Sequence, residues 1–235
     1  PKAQINLSIK QIMQNRKTQL DKHSSEQKYW KDEFEFLSDP KQNPLVSWPL
    51  HLFDCAPITD GAACLILTSE EIAPEFSDSY VKILASEQAS AGPLYTWGSD
   101  ITSIPSTTDA SKKAFQSAGV TANDIDIAEV HDCFTPAEIF AIEDIGFFPK
   151  GQGANAISRG ETERESNLPI NVSGGLKAKG HPVGATGVAQ LVELCTQLLH
   201  KGGERQVPKQ NLNLGLAHNV GGTGGTCVIS ILEAN

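Results

Sequence analysis

Asn171-Val172-Ser173-Gly174-Gly175-Leu176-Lys177-Ala178-Lys179-Gly180-His181-Pro182-Val183-Gly184-Ala185-Thr186-Gly187 is the segment from which the rest of this sequence can be read. Its glycines let the backbone take dihedrals closed to other residues and approach a neighbour closely. His181 sits among them, immediately before Val188, Leu191, Val192, Cys195, Leu198 and Leu199, which recur at helical spacing. A histidine in such a loop is by itself most often a hydrogen-bonded structural residue, so its meaning depends on what surrounds it.

Upstream, the chain alternates strand and helix signals. Val81 to Ala85 reads as a strand. Thr108 or Asp109 can cap a helix whose Ala110, Ala114, Phe115 and Ala118 share a face, with Gly119 placed for a left-handed C-terminal cap. Ile125 to Val130 reads as the next strand. Thr135-Pro136-Ala137-Glu138 combines a capping box with an early proline, and Ile139, Ile142 and Ile145 run to a stop at Gly146. Downstream, Leu212 to Ala217 and Thr226 to Leu232 are strands split by Gly221-Gly222-Thr223-Gly224-Gly225. Asp60-Gly61 leads into Ala62 to Leu67, a continuous apolar run expected to be a buried strand, after which Thr68-Ser69-Glu70-Glu71 resembles a helix cap. Strand and helix alternation of this kind predicts a layered α/β domain. Residues 1–45 are polar and offer short amphipathic pieces around Ile5, Leu7, Ile9, Ile12 and Met13 rather than a core.

Three polar clusters fall where strands give way to helices or turns, the places where an α/β sheet exposes reactive groups. They are Glu129-Val130-His131-Asp132-Cys133-Phe134, His181 in its glycines, and His218-Asn219-Val220-Gly221-Gly222. None of them fits a zinc module, and the glycine runs fail both common phosphate-cradling patterns. The chain has 235 residues, a net charge of -9 and 39% hydrophobic residues, enough for a sizeable core. An acidic balance argues against a nucleic-acid partner. No apolar run has the length of a membrane span. Five widely spaced cysteines without a paired motif point to a reducing compartment, the cytoplasm or an organelle matrix, of which the cytoplasm is expected. The C-terminal Glu233-Ala234-Asn235 is not a peroxisomal address of the SKL type.

Taken together, residues 171–187 resemble the NxxGGxxxxGHPxGAxG signature of thiolases. His131-Asp132-Cys133-Phe134 resembles the loop of the sterol-carrier-protein-2 type thiolases, where other thiolases carry NEAF. His218 to Gly222 is similar to that subgroup's version of the loop that elsewhere holds a CxG motif, and Asp60-Gly61-Ala62-Ala63 matches the DGAA closing the first half of the family's fold. The resemblance covers residues 45–235. It implies the C-terminal βαβαβ-type half of a thiolase-like layered fold, a mixed sheet covered by helices. On that reading residues 1–45 are a remnant of the loop domain, 46–79 the last strand region of the N-terminal half, and 80–235 the C-terminal domain.

Thiolases make or break a carbon–carbon bond between acyl-CoA molecules, with an acylated cysteine and an enolate as intermediates. Carried over by position, the resemblance makes His131 and His181 donors to the thioester oxygen, His181 also assisting the nucleophile, and Cys133 the acid/base at the α-carbon, with its thiol expected near neutrality. Asn219 stands in the place of the CxG cysteine, and the Gly221 N–H joins a second oxyanion hole. Ser173 and Gly174 are candidates for CoA contact. Arg16, Lys17 and Lys22 could meet CoA phosphates, although a solvated face is the simpler reading. The coenzyme A thioester is a substrate, with no tightly held cofactor and no metal. None of the cysteines has the context of the family nucleophile, Cys55 reading as a packing residue, so the chain is expected to be inactive alone. Its partners are acyl-CoA and either a second copy or a chain carrying the N-terminal half. The rivals are a thiolase-fold aldolase acting on acyl-CoA side chains and a non-catalytic dimerising or scaffold half. A ketosynthase or hydroxymethylglutaryl-CoA synthase fits the HDCF loop poorly.

Overall fold

The computed structural model describes residues 9–21, 30–92, 96–97 and 100–235. Ile5, Leu7 and Lys22 lie outside them. The polar N-terminal part forms α1 (Ile9–Asp21) and α2 (Glu33–Ser38), the latter capped by the Asp32 carboxylate, which accepts from the Glu35 N–H. Here the chain does more than expected from its composition. Met13, Trp30 and Phe36 bury one another, with the Trp30 and Phe36 rings edge to face at 4.9 Å and the Trp30 indole N–H donating to Asp39. A short hairpin follows, β1 (Leu45–Ser47) and β2 (Leu50–His51).

The apolar run Ala62 to Leu67 is not a strand. Its residues belong to no regular element, with Ile66 93% and Leu67 72% exposed, and a single-turn helix follows, α3 (Ala73–Phe76), that has no side-chain cap. The reason is physical: a fully apolar strand is stable when sheet neighbours cover both its edges and faces, and among the described residues no strand pairs with this one.

The remainder builds a mixed sheet. In chain order come β3 (Val81–Ser90), α4 (Pro105–Ala118), β4 (Ile127–Glu129), α5 (Thr135–Asp144), α6 (Gly153–Ser158), α7 (Gly175–Lys179), α8 (Thr186–Leu198), β5 (Leu214–Gly221) and β6 (Thr226–Ala234). The strand order is β3-β6-β5-β4, with β6 antiparallel to both neighbours and β5 parallel to β4. Residues 169–171 extend it past β4: Ala128 N–H donates to Pro169 C=O and Asn171 N–H to Ala128 C=O.

Alternation along the strands sorts the two faces. Leu214, Leu216, Ile229 and Ile231 pack with Ala110 and Ala114 of α4, whereas Ala217, Ile127 and Leu232 pack with Leu194 and Leu198 of α8. The sheet is therefore sandwiched between α4 and α8. Gly215 permits the close approach of α8, since a Cβ there would lie 3.3 Å from both Leu194 and Leu198.

Several element ends differ from the sequence reading. α4 begins at Pro105 rather than at 108 or 109, because the Asp144 carboxylate accepts the Ile104 N–H and the Ser103 hydroxyl and closes the helix start from outside. Gly119 is its left-handed cap at φ 69°, as expected. The capping box at Thr135 does not form; the Thr135 hydroxyl donates instead to Asp54, and Glu138 accepts from Asn171. On α8 the buried stripe is Thr186, Gln190, Glu193, Leu194, Gln197 and Leu198. The more apolar side, with Leu191, Cys195 and Leu199, lines a groove of about 400 Å³ shared with Leu65 and Leu67.

The contrast between the sheet and the exposed run is measurable in the chain by itself. Ile229→Ala, at a fully buried position, is expected to cost about 2–5 kcal/mol in urea unfolding. Ile66→Ala should stay within about 0.5 kcal/mol of the parent. Comparable costs at the two sites would mean that Ala62 to Leu67 is buried as a strand after all.

Candidate active site

β4 ends at Glu129, and its continuation brings His131 to the C-terminal edge of the sheet. β5, the parallel neighbour, carries His218 and Asn219 past the same edge, and the loop between α7 and α8 supplies His181. The three polar clusters of the sequence thus meet. The His131 and His181 rings stand edge to face, 5.0 Å between centroids at 85°. Asn219 Nδ2 lies 3.2 Å from His131 Nδ1 and donates to Gln190 Oε1 at 3.0 Å. His181 Nδ1 lies 2.7 Å from the Thr186 hydroxyl at the start of α8.

His218 is wholly buried on the α4 side. Its Nδ1 accepts the His131 backbone N–H, so its Nε2 carries the proton and faces the Thr107 hydroxyl at 2.9 Å. It serves as a bracket for the backbone of His131.

The segment 171–187 is fastened to the His131 loop from two sides. Asn171 Oδ1 accepts the Val130 N–H. Asp132 accepts the backbone N–H of Leu176 at 2.7 Å and, more weakly, that of Lys177 at 3.4 Å, the free donors at the start of α7. Gly175 is required here, because it sits at φ 61° and a Cβ would fall 2.2 Å from Asp132 Oδ2. A third strut comes from far upstream. Residues 54–58 run between the loops, the Ala56 N–H donating to Cys133 C=O and the His181 N–H to Pro57 C=O.

Burial sets the protonation states. It pushes the His131 imidazole down to about 4, with His181 adding to the effect, and His218 down to about 3. His181 is also lowered by burial, against the pull of Asp132. The histidines are therefore neutral at pH 7. The Cys133 thiol moves the other way from the expectation of a near-neutral value: burial first and the Asp132 carboxylate second push it up, so it rests protonated. Cys133 is half-buried, two residues past His131.

Ser173 is tied inward. It is buried, its hydroxyl donates to Glu129 at 2.5 Å and accepts from Lys179 Nζ, and its backbone N–H donates to the same carboxylate. Gly174 precedes α7 at φ 94°. Gly221 closes β5 opposite Thr226. Arg16 and Lys17 stand on α1. Sequence reasoning missed Gln190 and, although it quoted Asn171 and Glu129, gave neither a role. Gln190 carries a visible signal, a polar residue four positions after Thr186 in the same helical row as Glu193 and Gln197; Asn171 and Glu129 show their roles through partners 41 and 44 residues away.

A four-stranded mixed sheet between helix layers, with paired histidines at its edge, defines a thiolase-like fold, and the chain belongs to the thiolase family: residues 88–234 match the thiolase C-terminal domain-like family. It is 47% identical over 189 residues to an acetyl-CoA acetyltransferase of Methanothermobacter thermautotrophicus, covering 80% of this chain and 49% of that protein. It is 39% identical to human sterol carrier protein 2, over 78% of this chain and 34% of that protein. The chain thus spans half or less of these curated relatives. Among solved structures, the Ltp2-ChsH2(DUF35) aldolase superposes with a TM-score of 0.71 at 25% identity, over 84% of this chain and 51% of that one. The Bacillus anthracis acetyl-CoA acetyltransferase shares the fold, with a TM-score of 0.55 at 23% identity, over 77% of this chain and 38% of that one. No helix among the described residues is long and apolar enough to cross a membrane.

Glu129 gives the site a pH signature. Burial pushes its carboxyl up to about 7, against Lys179 and the Ser173 hydrogen bonds. A carboxyl that ionises near 4.5 unfolded and near 7 folded stabilises the fold fully below pH 4.5 and loses that contribution as pH rises through 7. Glu129→Gln removes the ionisation. Relative to the parent, its unfolding free energy should move in its favour by about 3 kcal/mol between pH 4.5 and 7.5, on top of a constant offset; denaturant melts across that range that track in parallel would refute the assignment.

Proposed function

We propose that this chain carries the acid/base and enolate-stabilising half of a thiolase-type acyltransferase acting on acyl-CoA. The observation supporting this most directly is the pair of neutral imidazoles, buried His131 and half-buried His181, facing each other at 5.0 Å beside Asn219. The difficulty of Claisen chemistry lies in the α-proton, which is far less acidic than a side-chain base can match in water. A site succeeds by holding the developing enolate oxygen with fixed donors while a nearby group handles the proton. Neutral imidazoles suit the first task because each presents one N–H as a fixed donor. Cys133 handles the proton. In the cleavage direction its resting thiol gives a proton to the α-carbon of the departing enolate; in synthesis the thiolate takes one back.

On this reading the acyl-accepting cysteine belongs to an N-terminal thiolase half, residues 46–79 being the edge of that half and residues 80–235 the C-terminal domain. Gly221 lends its N–H to the tetrahedral intermediate, and CoA reaches the site past Gly174. The assembly works as a homodimer of complete units, in the cytoplasm.

A second reading, a thiolase-fold aldolase, is favoured by the 0.71 TM-score against the aldolase structure. It needs the enolate donors and no acyl-enzyme. Both are decided in an assembly of this chain with an N-terminal thiolase half, assayed on a β-ketoacyl-CoA plus CoA and, separately, on a β-hydroxyacyl-CoA. The expected outcome is turnover of the first. Cys133→Ala should then lower both directions by about 10²-fold or more while acylation of the nucleophilic cysteine persists. Cleavage of the β-hydroxyacyl-CoA alone would select the aldolase, and unchanged turnover of Cys133→Ala would remove Cys133 from the chemistry.

A further inference from the structure

A neutral imidazole can be a donor or an acceptor at either nitrogen, and the choice decides what His131 can do. At Gln190 two backbone carbonyls, those of His218 at 3.0 Å and Glu129 at 3.4 Å, converge on one end of the side-chain amide. Carbonyls accept and never donate, so that end is the NH₂. The other end, Oε1, must then face Asn219, and an oxygen there requires a donor. Asn219 accordingly presents its NH₂, which spans 3.0 Å to Gln190 and 3.2 Å to His131 Nδ1. With a donor opposite, His131 Nδ1 must accept. Gln190 is fully buried, and no water molecule is needed to explain its orientation.

We propose that Gln190 is a positioning residue which, by orienting the Asn219 amide, commits His131 to the tautomer with its proton on Nε2. The β5 backbone thereby dictates a proton position three groups away. Resting on the functional reading above, the consequence is a division of labour: His131 is a dedicated hydrogen-bond donor to the substrate oxygen and cannot serve as the base.

The tautomer is read directly by long-range ¹H–¹⁵N correlation on the uniformly ¹³C,¹⁵N-labelled chain at pH 7, with His131 assigned through its own backbone and side-chain correlations. The parent should show an unprotonated Nδ1, a protonated Nε2 and a scalar coupling across the hydrogen bond between Asn219 Nδ2 and His131 Nδ1. These observations need no variant to fold, and an Nδ1-protonated ring or an absent coupling overturns the proposal. Asn219→Asp, whose carboxylate only accepts, should invert the pattern. Gln190→Met, close in shape but unable to hold Asn219, should mix the two tautomers; an unchanged pattern with no more than a lower melting temperature assigns Gln190 a purely structural role and overturns its part. In the assembled enzyme Asn219→Asp should lower kcat about 10²-fold with KM little altered. An inverted tautomer with undiminished turnover upholds the tautomer assignment and removes His131 as the enolate donor.

Discussion

The Asp132 carboxylate, accepting the first free backbone N–H groups of α7, is the contact on which the geometry of the site depends. It joins two loops from different parts of the chain. One leaves β4 with His131 and Cys133; the other leaves α7 with His181. A buried carboxylate is costly to ionise, and burial does push this one up, but backbone donors and the nearby Lys177 oppose that shift. The positive end of a helix is a place where such a charge is tolerated. A carboxylate there also explains the glycine at 175, since any side chain would occupy the volume Asp132 needs. The sequence of the two loops is thus mutually constrained, the acid of one matching the bare backbone of the other.

Much of the sheet was readable because β5 and β6 are mostly buried apolar runs and β3, exposed along part of its length, still opens with one. β3, β5 and β6 fall where Val81, Leu212 and Thr226 open apolar runs, and Gly119 ends α4 as its position predicts. The errors share a cause. Ala62 to Leu67 has the composition of a strand, but composition says nothing about whether a neighbour is present to pair with it. Thr135 has the pattern of a cap, but its hydroxyl is drawn to Asp54, 81 residues earlier in the chain. Periodicity reports local preference, and tertiary partners overrule it.

The site was legible in a similar, partial way. His131, His181 and Asn219 could be singled out because each lies beside glycines or a helix start, and the structure brings all three together. Their protonation could not be read. A thiol between histidines looks activated on paper, yet Cys133 lies next to the Asp132 carboxylate in a half-buried place, and both effects favour the thiol. Ser173 likewise looks available in sequence and is bonded to Glu129 in space.

The backbone strut of residues 54–58 changes what counts as a unit here. It lies on the far side of a boundary drawn at residue 80, yet it hydrogen-bonds both histidine loops. A fragment trimmed to 80–235 would keep His131, Cys133, His181 and Asn219 and still lose the beam that spaces them. The unit that spaces the histidine loops and the sheet-bearing unit are therefore not the same piece of chain, and any dissection, transplantation or circular rearrangement of this fold must carry the earlier segment with it.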